Sequence, residues 1–240
     1  MKTPHSRSYT VCTLDKHINC TTCSIADQVD CSRHKPGQMA AYYLMVALFI
    51  VPALLLLGTA TIISRIWWLI PVYLLYWIFY QVSGELFIRC RHCPFWDEAS
   101  PTLECRINFG MPKLRWQLLG PLVRYDPRPL AYWEKAVIQL LSVTTFIIPM
   151  AVGTVVALEY LPARGMHDPA LIAMAGFAVL HTAGAVGFLY YLLGRLCPTC
   201  VHFSCPNNHQ PFHVIESYLG MNRYIREAWE KDLHKYSCRK

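Results

Sequence analysis

Four long runs of apolar residues, Met39 to Ile63, Ile66 to Ile88, Ala136 to Leu158 and Ala170 to Arg195, alternate with polar segments along the chain. A helix needs roughly 20 predominantly apolar residues to cross the hydrocarbon core of a bilayer, and each run reaches that length almost without charge over its central stretch. The pattern predicts an all-α integral membrane protein with four transmembrane helices arranged as two hairpins. Pro52, Pro71 and Pro149 fall inside the runs, where membrane helices accommodate proline as a kink. The domain plan that follows is a cysteine-rich arm over 1–38, a first hairpin over 39–88, a basic and aromatic loop over 89–135, a second hairpin over 136–195 and a cysteine-rich tail over 196–240.

The placement of charge gives the expected orientation. Of 22 Lys and Arg, 20 lie in the arm, the 89–135 loop and the tail counted from Arg195, and only Arg65 and Arg164 lie on the other side. Cytoplasmic flanks carry the excess of Lys and Arg, so both termini are expected on the cytoplasmic side of a cytoplasmic (inner) membrane. The first 38 residues lack the apolar core of a cleavable signal, and the start of the chain is expected to be retained. Composition agrees with a bilayer as solvent: 54% of residues are hydrophobic, 15% are charged and the mean hydropathy is +0.27. The net charge of +7 then marks a membrane-facing rim, not a nucleic-acid surface.

All eleven cysteines, Cys12, Cys20, Cys23, Cys31, Cys90, Cys93, Cys105, Cys197, Cys200, Cys205 and Cys238, fall in the three segments expected to be cytoplasmic. Thiols there are kept reduced, so the pattern reads as metal binding or redox chemistry before disulfides. Cys12, Cys20, Cys23 and Cys31, with His17 and His34 nearby, form a set sufficient for one closed site. Two residues between Cys20 and Cys23 let both sulfurs face one ion at about 2.3 Å. The other two sets, Cys90, Cys93, Cys105 and Cys197, Cys200, Cys205, each supply three thiolates. A fourth ligand has candidates in His92, His202, His209 and Cys238, or the two loops pool ligands. A hairpin followed by a cysteine cluster thus occurs twice, which predicts a parallel repeat about an axis along the membrane normal.

Proline follows Cys93, Cys197 and Cys205, as it follows the last cysteine of bacterial ferredoxin runs, which favours an iron–sulfur cluster of the 4Fe–4S type. Zinc uses CxxC pairs equally well, and the spacing leaves both metals open. Cys197-Pro-Thr-Cys200 also resembles the active-site tetrad of glutaredoxin-type oxidoreductases, over those four residues. In that family the tetrad opens a helix whose N-terminus lowers the thiol pKa, whereas here it follows the end of an apolar run.

Ionisable residues at membrane depth are functional candidates because they are costly in hydrocarbon. His181 lies mid-run on a face with Phe177, Gly184 and Phe188, and Glu85 lies near the cytoplasmic end of the second run. The pair fits a quinone site, with His181 as hydrogen-bond partner and Glu85 as proton port. The competing reading is a hydrogen bond across the bundle for His181 and an interfacial position for Glu85. A second intramembrane histidine is absent, which argues against a bis-histidine haem. The small residues Ala175, Ala183, Gly184 and Gly187 fit close helix packing.

Lys113, Arg115, Arg124 and Arg128 alternate with Trp116, Tyr125, Tyr132 and Trp133 in the loop, the composition of a headgroup contact. Tyr218, Ile225, Trp229, Leu233 and Tyr236 recur at helical spacing in the tail, opposite Arg226, Glu230, Lys231 and Lys235, which predicts an amphipathic helix lying on the membrane or a partner. No phosphate loop, GxGxxG, GxSxG or HExxH occurs, so nucleotide, hydrolase and zincin chemistry have no support. Two functional expectations result. One is an electron-transfer subunit whose iron–sulfur clusters link a cytoplasmic redox protein to the membrane quinone pool. The other is a zinc-stapled scaffold or assembly subunit of a larger membrane complex, without catalysis of its own.

Overall fold

The computed structural model describes residues 23–26, 28–30, 36–96, 102–103, 105, 107–108 and 125–237. Its regular elements are α1 (Pro36–Ser64), α2 (Leu69–Phe79), α3 (Tyr132–Arg164), α4 (Pro169–Tyr191), α5 (Phe212–Met221) and α6 (Arg223–Ser237), with no β-strand among the described residues. The chain divides into two compact units. One gathers the described parts of Met1–His34, Arg89–Tyr132 and Leu196–Lys240; the other comprises Lys35–Ile88 and Trp133–Arg195.

The second unit contains three helices long and apolar enough to cross a membrane, over Gly37–Ser64, Tyr132–Arg164 and Pro169–Thr199. They are apolar on all faces, and less than half of each is covered by protein. Ile62, Leu158 and Val179 are each 68% exposed. In water such surface would be strongly unfavourable; against lipid tails it is matched, which makes this a membrane protein. The predicted second run differs from the other three. It forms an α-helix only over Leu69–Phe79 and then widens into a π-helix over Tyr80–Arg89. Tyr80, Gln81, Ser83, Gly84 and Glu85 make this half polar, and it lacks the hydropathy of the other three.

Two prolines shape the packing by releasing carbonyls. Pro149 has no N–H for the oxygen of Thr145 one turn earlier, and the Tyr73 hydroxyl donates to that oxygen at 3.1 Å. Tyr76 donates to Leu141 O at 2.7 Å, one turn along, so α2 runs antiparallel to α3. Removing the Tyr73 hydroxyl by Tyr73→Phe is expected to cost about 1 kcal/mol, readable as a lower unfolding temperature in detergent. Pro52 likewise releases Leu48 O, and there α4 approaches α1 at Gly184. These two helices form the closest pair in the unit, antiparallel from Gln38 opposite Tyr191 to Phe49 opposite His181. The turns after α1 and α3 both use a left-handed residue, Arg65 at φ 59° and Gly165 at φ 77°. Asp168 then caps α4, accepting from Ala170 N–H at 2.8 Å and pairing with Arg164 at 3.2 Å.

The first unit has its own core of Ile25, Val29, Cys93, Phe95, Val201, Val214, Tyr218 and Ile225. The backbone N–H of Asp30 donates to Thr199 O at 2.7 Å, tying the N-terminal arm to the second cysteine loop. Buried Asn222 separates α5 from α6, its side chain bonding Tyr218 O at 2.8 Å. The amphipathic helix expected from the tail is α6, but Ile225, Tyr224 and Trp229 pack on this unit's own core. Its apolar side is therefore engaged within the chain, because the cysteine loops supply too few large apolar residues to close a core alone. The opposite side carries the exposed pairs Arg223–Glu227 and Arg226–Glu230, both at 2.8 Å.

Candidate metal centre

Each CxxC motif is delivered by the same sequence of backbone forms. The second apolar run ends in the π-helix Tyr80–Arg89, followed by a 3₁₀ turn at Cys90–His92 and extended Cys93 at φ −84°, ψ 136°. The fourth ends in the π-helix Leu192–Leu196, followed by a 3₁₀ turn at Cys197–Thr199 and extended Cys200 at φ −77°, ψ 136°. Cys93 N–H donates to Cys90 O at 2.9 Å, and Cys200 N–H to Cys197 O at 3.2 Å. The repeat inferred from spacing thus extends to the backbone conformation of the turns.

Several donors aim at the sulfurs. Asn108 holds two of them: its backbone N–H lies 3.3 Å from Cys105 Sγ and its amide Nδ2 lies 3.2 Å from Cys90 Sγ. His202 N–H lies 3.4 Å from Cys200 Sγ. Hydrogen bonds from N–H groups favour charged sulfur and tune the potential of a cluster held by it. Asn208 braces the second loop, its amide donating to Cys200 O at 2.7 Å and His202 O at 3.2 Å.

Without a cation, burial pushes the Cys93 thiol well above its ordinary value, and the neighbouring Cys105, Cys200 and Cys90 push it further. Burial is also the main cause for Cys200, pushed up to about 12, with Cys205, Cys197 and Cys105 contributing against the His202 N–H bond. Both shifts describe thiols that hold their protons at neutral pH. A bound metal would reverse them by stabilising thiolate directly. Among the described residues, however, no three His, Cys, Asp or Glu side chains converge tightly enough to hold a metal ion. The donor types suit a thiophilic metal.

The histidines proposed as fourth ligands divide. His92 is 4% exposed, accepts at Nε2 from Arg91 Nε at 3.2 Å, and its Nδ1 lies 2.9 Å from Asp126 O and 3.1 Å from Arg128 O. With Nε2 accepting, Nδ1 carries the hydrogen, and the ring braces the 125–130 segment. His202 is buried in the second loop. Cys12, Cys20, Cys31 and Cys238, with His17 and His34, lie outside the described residues, as do Lys113, Arg115, Trp116 and Arg124 and the side chains of Leu233, Lys235 and Tyr236. Of the N-terminal set Cys23 is described, and it packs on the core that contains Cys93.

The two intramembrane candidates sit in the other unit. His181 is 1% exposed, with Nδ1 at 2.9 Å from Phe49 O on α1 and Nε2 at 3.1 Å from Phe146 O on α3. Phe49, Phe146 and Phe188 surround it, the Phe49 ring lying 5.0 Å from Phe146 and 5.1 Å from Phe188. Glu85 is 3% exposed and accepts from the Tyr80 hydroxyl at 2.5 Å. That i, i+5 pair stacks because the π-helix has a wider turn than an α-helix. Sequence reasoning did not single out Asn108 or Asn208; an asparagine three residues after Cys105 or Cys205 was the available signal. Comparison with protein-family models, with curated proteins and with solved structures found no match to the chain.

Proposed function

We propose that the protein is a four-span subunit of a cytoplasmic membrane whose cysteine unit faces the cytoplasm, holds iron–sulfur chemistry and passes electrons from a soluble redox partner toward membrane quinone. The observation that carries the reading is the pair of matching CxxC turns with N–H donors aimed at Cys90, Cys105 and Cys200. Six described thiols from two loops exceed what one tetrahedral zinc uses, and the burial of Cys90, Cys93 and Cys197 suits a cluster shielded from water. The fourth span is the continuous helical run Leu69–Arg89, anchored along α3 by Tyr73 and Tyr76. The excess of Lys and Arg on one side supports the orientation.

The chemistry supplied by the cluster is one-electron storage. The chain's own residues do the rest: Asn108 and His202 direct hydrogen bonds to sulfur, Cys93 and Val201 exclude water, and the Tyr80–Glu85 pair is a carboxyl able to exchange a proton near the end of a helix. Protein purified anaerobically is expected to be brown, to contain about three to four iron with matching sulfide per cluster, and to bleach on reduction. Colourless protein containing zinc alone would sink the electron-transfer reading. It would leave the zinc-stapled scaffold, which the incorporation of Cys93 into the unit's apolar core favours.

A further inference from the structure

Within the membrane unit, α3 and α4 leave the turn at Gly165 together but pack differently. Helix α4 lies close along α1, whereas α3 makes no comparable backbone approach to α4 among the described residues. Between the two lies an apolar cavity of about 230 Å³. Leu56 of α1, Gly153 of α3 and Met174 of α4 form its buried floor, and the exposed residues Thr154, Leu158 and Ala175 form its rim. The cavity is therefore a groove open at the surface. It is continuous with the bare apolar surface that meets lipid at Val155 and Val179, the residues directly after Thr154 and Ala178.

We propose that this groove holds one acyl chain of a phospholipid from the leaflet on the side of the 164–168 turn. Depth is the first support. Along α4 the groove runs from Leu171 to Ala178, about 5 to 15 Å from Asp168 at the α-helical rise. One leaflet supplies about 15 Å of hydrocarbon, so a lipid whose headgroup lies level with the charged turn has its chain at that depth. Size and chemistry are the second. The groove exceeds the roughly 150 Å³ that admits a benzene ring, yet falls short of the roughly 300 Å³ at which small-molecule sites begin. A second helix, about 10 Å across, is too wide for it. Thr154 is the one hydroxyl or charged side chain in the lining, too little to orient a polar ring. A flexible chain needs no such partner and supplies the dispersion contacts that the floor otherwise lacks. At its inner end, Met150 and Ala178 lie one turn from Phe146 and His181, whose contact at 3.1 Å ties α3 to α4. The bound chain thus supports α3 beside that bridge.

The test places full-length protein in vesicles of phosphatidylethanolamine and phosphatidylglycerol containing a trace of phosphatidylethanolamine with a diazirine midway along one chain. Light expels dinitrogen from the diazirine, the carbene inserts into a neighbouring C–H bond, and peptide mapping locates the adduct. Adducts in the parent are expected several-fold enriched over 150–158 and 171–178 relative to Leu55 and Ile62, exposed on α1 at the same end of the unit. Ala175→Phe sets a ring in the mouth of the groove and is expected to remove the enrichment. Ala183→Phe, exposed on the same helix outside the groove, is expected to keep it. Even labelling of all exposed apolar residues in the parent would overturn the site. Enrichment by a diazirine-bearing prenylquinone that excess phospholipid does not displace would overturn the choice of occupant. A second measurement counts phosphorus per protein after detergent extraction. The parent and Ala183→Phe are expected to retain a phospholipid that Ala175→Phe loses; equal retention by all three counts against a seated chain.

Discussion

Replacing Gly184 with alanine is expected to destabilise the membrane unit by about 3 kcal/mol, at the upper end of overpacking costs, because the methyl group meets backbone. A Cβ at position 184 would lie 2.2 Å from Leu48 O, 2.7 Å from its carbonyl carbon and 3.0 Å from Phe49 Cα. No rotamer change relieves that contact. The helices must separate by more than an ångström, and the separation acts on the residues one turn away, where His181 meets Phe49 O at 2.9 Å. The proline logic sharpens the expectation. Leu48 O lacks its usual amide partner because position 52 is proline, and the Gly184 Cα–H faces that oxygen at close range. Gly176→Ala and Gly187→Ala on the same helix meet nothing within 4 Å and serve as controls near neutrality. Folded yield and unfolding temperature in detergent separate the three variants; equal behaviour would refute a backbone contact at Gly184.

The apolar runs and the grouping of cysteines were legible because both are properties of spacing. Span limits drawn from hydropathy, Met39 to Ile63 and Ala136 to Leu158, fall inside α1 and α3, which extend further at their polar ends. What spacing does not carry is helical pitch. The change from α to π at Tyr80 and at Leu192 leaves no mark in apolar periodicity, since each occurs where the run becomes polar or glycine-containing. It decides how the CxxC turns are presented and allows Tyr80 to reach Glu85. Asn108 was invisible for another reason: a single polar residue beside a cysteine becomes informative only when its amide is found on the sulfur of Cys90, eighteen positions away. The same holds for α6. Its amphipathic pattern was plain, but which surface covers its apolar side depends on Ile25, Val29 and Val214, from distant parts of the chain.

His181→Ala and His181→Asn together are expected to separate packing from chemistry in the membrane unit. The ring links α4 to carbonyls of α1 and α3, each one residue beyond a carbonyl released by proline. Alanine removes both contacts and leaves space among Phe49, Phe146 and Phe188, at a cost of about 2–3 kcal/mol from the lost ring packing and an unsatisfied carbonyl. Asparagine carries two N–H donors on one nitrogen and restores part of the bridge. The imidazole reaches carbonyls of both neighbouring helices from its two ring nitrogens, a span that the single amide nitrogen of asparagine covers only in part. If the histidine serves quinone chemistry, His181→Asn keeps an unfolding temperature near that of the parent but slows reoxidation of the reduced metal centre by a water-soluble quinone at least tenfold, in line with loss of a positioned proton donor. If it serves packing alone, the asparagine variant recovers stability and reoxidation together, and the path from cluster to quinone must run through other residues, with Glu85 and Tyr80 next to be tested.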